Sequence, residues 1–85
     1  MATLNQEIIK ACEQRILLNK MYRSKKVVEP RDIDLLIMLA QTNNEDTLRQ
    51  RIKEGWEKWI SNVIPGRMHD KIKKMVWIEI YGEQN

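Results

Sequence analysis

Apolar residues recur with helical spacing through most of this chain. The clearest case lies between Thr47 and Ile64, where Leu48, Ile52, Trp56, Trp59, Ile60 and Val63 follow at spacings of four, four, three, one and three. At about 100° of turn per residue these positions draw one continuous stripe along a helix. The opposite face carries Arg49, Arg51, Lys53, Glu54, Glu57 and Lys58. Glu45 with Arg49 and Glu54 with Lys58 form i, i+4 pairs in the favoured order, each contributing about 0.3 kcal/mol. Thr42 and Glu45 have capping-box spacing, with Asn43 or Asn44 as alternative caps, and Pro65-Gly66 supplies a stop. Gly55 stands apart, because a mid-helix glycine costs roughly 1 kcal/mol relative to alanine. Its place on the edge of the stripe predicts close packing by a neighbouring helix, or a notch beside Trp56 for a ligand or partner.

Three further segments follow from the same pattern. Thr3 and Gln6 have capping-box spacing and open a helix over 4–22. Its apolar side includes Leu4, Ile8, Ile9, Ala11, Cys12, Ile16, Leu17 and Tyr22, and Leu18 and Met21 widen it past a simple stripe. The stretch 23–29 breaks the period, and Glu29 before Pro30 reads as extended chain. Pro30 then suits the first turn of a second helix over 30–41, with Asp32 and Asp34 near its positive end. In that helix Ile33, Leu35, Leu36, Ile37, Met38, Leu39 and Ala40 point all round the axis, so neighbouring helices or another chain must cover them. The last segment, 67–81, has helical spacing at Met68, Ile72, Met75, Val76 and Ile80, with Gly82 as a C-terminal cap. Its β-branched and aromatic run also suits a strand, but no second strand candidate exists apart from 26–28. The expectation is an all-α fold: a single domain over 1–85, built as a compact bundle of about four helices at 4–22, 30–41, 45–64 and 67–81. Its core is expected to draw on Ile8, Ile16, Leu36, Leu39, Ile52, Trp56, Trp59, Ile60, Ile72 and Val76.

Composition agrees with this picture and adds little to it. An apolar content of 42% with 32% charged residues is ordinary for a globular chain. The net charge of +3 marks neither a strongly nucleic-acid-coating nor a strongly acidic protein. The lone Cys12 excludes an internal disulfide, no apolar signal segment follows Met1, and no apolar run approaches the ~20 residues that cross a bilayer. A cytoplasmic protein without membrane insertion is expected.

Candidate chemistry is sparse. His69 is the one histidine and its sequence neighbour Asp70 does not share its helix face. Metal-ligand spacing, phosphate-cradling glycines and nucleophile elbows are all missing, so neither a catalytic site nor a metal or cofactor is expected. Two basic clusters remain: Lys20, Arg23, Lys25, Lys26 and Arg31, and Arg67, Lys71, Lys73 and Lys74. Each could contact phosphates, with Tyr22 and Trp77 near enough in sequence to stack, although such runs are also what a solvated surface looks like. A helix-turn-helix reading of the second and third helices is weak, because the exposed face of the third balances its charges. That balance also argues against a membrane-surface role.

The sequence therefore leads to a non-enzymatic protein that binds another protein, or itself as a homo-oligomer, acting as a regulator or assembly subunit. Ile33, Ile37 and Met38 on the over-apolar second helix are the expected contact residues. The alternative is a nucleic-acid-binding protein working through the two basic clusters.

Overall fold

The computed structural model describes residues 3–21, 28–42 and 44–81. Among these, regular structure is entirely helical: α1 (Leu4–Met21), α2 (Pro30–Thr42), α3 (Glu45–Gly55), a π-helical turn (Trp56–Ile60), α4 (Ser61–Val63), a 3-10 turn (Gly66–Met68) and α5 (His69–Tyr81). The α3, π and α4 pieces follow one another without a break, so the fold is a bundle of four helical rods. The β-branched segment at the end of the chain is helix rather than strand. Tyr22, most of the connection before α2, Asn43 and Gly82 lie outside the described residues.

Local chemistry sets the ends of these rods. At the start of α1, Gln6 N donates to Thr3 Oγ1 (3.2 Å) and Thr3 N donates to Gln6 Oε1 (2.9 Å), a reciprocal capping box. Pro30 occupies the first turn of α2, where Glu29 O accepts from the N–H groups of Asp32 and Ile33. Asn44 caps α3 by accepting from Thr47 N at 2.8 Å. Glu45, freed from a capping role, accepts instead from Leu4 N (3.1 Å) and Arg49 Nη2 (3.2 Å), which joins the start of α3 to the start of α1.

The core contains Leu4, Ile8, Ala11 and Cys12 of α1, Ile33, Leu36 and Ala40 of α2, and Leu48, Ile52, Trp56, Ile60, Val63 and Ile64 of the third rod. Ile72 and Val76 of α5 complete it. Most of the core expected from the stripe is therefore inside. Leu39 and Trp59 are only half-buried against it, and Ile16 is 37% exposed. The reason lies in α1, whose apolar residues cover more of the helix than one buried face can hold. Leu4, Ile8, Ala11 and Cys12 take the inner face and turn Ile16 outward.

Gly55 has a local explanation that differs from a neighbouring helix packing close. An added Cβ would lie 2.9 Å from Trp59 Nε1 and 3.1 Å from Ile60 Cδ1. The crowding comes from its own chain, where the π-turn brings the indole and the isoleucine back over the glycine. Beyond it Ser61 N donates to Trp56 O, five residues back, the wide ring that defines a π-turn.

Candidate functional site

The polar side chains of α1 reach the ends of the other elements. Asn5 Nδ2 donates to Ala40 O near the end of α2. Asn19 holds Val28 from both sides, donating to its carbonyl at 2.9 Å and accepting from its N–H at 3.2 Å. Arg15 Nε donates to Val63 O at 2.8 Å, and burial lowers the guanidinium's pKa from its ordinary value. Arg15 faces a cleft of about 440 Å³ that also touches Glu29, Asp32, Ser61 and Asn62. Neither carboxylate reaches ion-pair distance of it. Glu7, only 3% exposed, is bound by Lys71 Nζ at 2.7 Å through Oε1, while Oε2 has no hydrogen-bond partner among the described residues. Each of these contacts ties α1 to another element, which leaves its opposite face free of structural work.

Large apolar side chains meet solvent there and on α2. Among the described residues the exposed ones are Ile16 (37%), Leu17 (51%) and Met21 (70%) of α1 and Leu35 (43%) and Met38 (57%) of α2. The third rod and the part of α5 whose burial is described, up to Trp77, add none to that set. Because α1 and α2 pack on each other more extensively than any other two elements, the exposed residues all belong to one helical hairpin. The three expected contact residues separate here. Met38 is exposed and Ile37 is half-buried, but Ile33 is 2% exposed and belongs to the core. An all-round apolar helix still has an inside, and Ile33 shares it with Leu36 and Ala40, three and four residues apart. Ile16, Leu17, Met21 and Leu35 were missed as surface residues. The signal for them was the breadth of apolar positions on α1, too many for one packed face.

Of the two basic clusters, only the second is described in full. Lys20 and Arg31 are exposed, and Arg23, Lys25 and Lys26 lie outside the described residues. In the second cluster, Lys71 is paired with Glu7, Arg67 donates to Gln14 Oε1 at 2.9 Å, and Lys73 stands 5.4 Å above the Trp56 ring. Lys74 is exposed and makes no ion pair among the described residues. Lys71 turns toward α1 and Lys73 toward the π-turn, so α5 does not present these lysines together. Trp77, the stacking candidate, is half-buried and packs edge-on against Trp56 with ring centroids 5.8 Å apart.

His69 is committed to the fold. Its Nε2 lies 3.0 Å from Ser61 O and 2.8 Å from Ile64 O, and two carbonyl acceptors require that nitrogen to carry the proton. The ring meets Trp56 edge-on at 5.0 Å. Burial, helped by the charges of Glu13 and Asp34, pushes the Cys12 thiol up to about 12, which keeps it protonated and unreactive at neutral pH. Among the described residues, no group of three or more His, Cys, Asp or Glu side chains is placed to hold a metal ion, and no helix is long and apolar enough to cross a membrane. Comparison with family models, curated proteins and solved structures finds no match.

Proposed function

We propose that this chain is a small protein-binding regulator or assembly subunit that docks its partner on the outer face of the α1–α2 hairpin. The observation that carries the reading is the segregation of Ile16, Leu17, Met21, Leu35 and Met38 to that hairpin. Scattered exposed apolar residues need no explanation, but a set gathered on two packed helices is what protein contacts use. Methionine, with its unbranched thioether, suits a surface that adapts to what it binds. Lys71, Arg67 and Lys73 are exposed but engaged, with Glu7, Gln14 and the Trp56 ring respectively, which lends the nucleic-acid alternative no matching support.

Photo-crosslinking tests the proposal directly. A photoreactive amino acid placed at Leu17 or Met38 is expected to capture a discrete protein. The same probe at Glu57 or Lys58, exposed on the third rod, is expected to capture none. Equal labelling from both sides of the molecule would overturn the reading.

A further inference from the structure

We propose that the partner on α1 is a second copy of this chain, packed antiparallel across a twofold axis between Ile16 and Leu17. The inference rests on the docking face argued above and names its occupant. Glu13, Ile16, Leu17 and Lys20 stand at i, i+3, i+4 and i+7, so they share one helix face, and all four are exposed. A twofold contact requires a surface that complements its own rotated image. This face meets that condition. Glu13 and Lys20 are each three and a half residues from the midpoint of Ile16 and Leu17, or about 5 Å at 1.5 Å per residue. Antiparallel pairing about that midpoint sets Ile16 against Leu17 of the other copy. It also sets Glu13 level with the other copy's Lys20, twice over. At the 8–10 Å separation usual for packed helices, both side chains span the gap. Neither is engaged at home, for Glu13 and Lys20 make no ion pair among the described residues, and seven residues apart they cannot reach each other on one helix. Met21, 70% exposed at the end of α1, extends the apolar centre beyond the charged pair. A face built for an unrelated protein would have no reason to place opposite charges symmetrically about its apolar centre.

Sedimentation of the full chain over roughly 1 μM to 1 mM, at low salt, tests this. Wild type is expected to pass from monomer to dimer over that range. Glu13→Lys sets lysine against lysine and Lys20→Glu sets glutamate against glutamate, so each alone is expected to weaken the dimer about tenfold or more. An equal mixture of the two variants restores both pairs and is expected to form a heterodimer near wild-type strength. The double variant Glu13→Lys/Lys20→Glu is expected to form a homodimer again. All three positions changed in these variants and in Leu17→Lys are exposed, so circular dichroism is expected to show unchanged helicity, and Leu17→Lys is expected to be monomeric. A wild-type chain that stays monomeric throughout, or a mixture no stronger than its components, overturns the proposal. If monomeric wild type still captures a different protein through Leu17 or Met38, only the identity of the partner is overturned and the docking face stands. A dimer indifferent to these charges but lost on Met38→Lys places the contact on α2, and overturns the α1 geometry in the same way.

Discussion

Gly55 shows how a single missing methyl group shapes the third rod. Its φ of −97° and ψ of 0° are open to any residue, so the requirement is for space and not for backbone freedom. Alanine would recover about 1 kcal/mol of helix propensity. It would also press on Trp59 Nε1 at 2.9 Å and Ile60 Cδ1 at 3.1 Å, and overpacking of this kind costs about 1–3 kcal/mol. Gly55→Ala is therefore expected to lose about 1 kcal/mol net, read as a lower urea midpoint with an unchanged slope. A higher midpoint would show that the half-exposed indole swings aside freely. Cys12 supplies a pH-dependent counterpart. Its folded pKa of about 12 lies above the ordinary 9.0, because burial and then Glu13 and Asp34 disfavour the thiolate. A raised acid pKa leaves stability whole below the unfolded value and removes it as pH climbs toward the folded one. From about pH 9 upward the unfolded chain sheds a proton that the folded chain keeps, at about 1.4 kcal/mol per pH unit. The stability gap between wild type and Cys12→Ala is expected to be constant at neutral pH and to shrink above pH 9, in urea titrations run in parallel. A gap that stays constant to pH 11 would mean the thiol is not held from ionising.

At the scale of elements, the sequence was legible wherever local chemistry decides and illegible where an irregular turn intervenes. The capping box of Thr3 and Gln6, Pro30 at the head of α2 and the Glu45–Arg49 pair could all be read from spacing, and all are present. The parallel pair Glu54–Lys58 could be read equally well and is not formed. Glu54 accepts from Gln50 Nε2 at 3.1 Å instead, and Lys58 makes no ion pair among the described residues. The π-turn between them widens the ring and carries Lys58 off the face where an α-helix would hold it. Nothing in the stripe of Leu48, Ile52, Trp56, Ile60 and Val63 announces that turn, since the extra residue is absorbed without breaking the apolar contact. What holds the rod's far end could not be read from spacing either: it is His69, from the start of α5. In the fold its Nε2–H is shared by Ser61 O and Ile64 O, carbonyls at the end of α4 that have no further helix to bond them. His69→Ala would free both and remove the edge contact on Trp56. The expected loss is about 2 kcal/mol, since an unmade bond to a buried group costs about 1–3 kcal/mol. His69→Asn, with an amide able to reach one carbonyl, is expected to recover part of it. Thermal unfolding of the two variants side by side distinguishes them, and equal losses would point to ring packing alone.

For the molecule as a whole, the centre of organisation is α1 and not the amphipathic rod that dominates the sequence. The rod's stripe is explained by burial, but α1 supplies most of the side-chain ties that cross between elements among the described residues: to α2 through Asn5, to the chain entering α2 through Asn19, to α4 through Arg15 and to α5 through Glu7. Composition hides this, because asparagine, arginine and glutamate on a helix ordinarily read as solvent-facing. The same division explains the candidate surface, for a helix that spends one face on its own fold can leave Ile16, Leu17 and Met21 on the other. The tie between Glu7 and Lys71 is the most telling of the four, since its two ends differ so much in burial: 3% exposed for the carboxylate against 60% for the lysine. Removing the lysine leaves a buried carboxylate with neither oxygen partnered by a cation. Lys71→Ala is therefore expected to cost about 1–3 kcal/mol at neutral pH, although an exposed lysine is normally replaced at little cost. Removing the carboxylate leaves only a solvated lysine, so Glu7→Leu is expected to be near neutral or stabilising, as apolar replacement of buried ion pairs often is. The order of the two results carries the argument. If Glu7→Leu were the more damaging change, the carboxylate's unpartnered oxygen would have to be bonded in solution, and α1 would be fastened to α5 by more than this one lysine. With Lys71→Ala in place, adding Glu7→Leu is expected to restore most of the lost stability, a non-additivity that urea titrations of the double cycle measure directly.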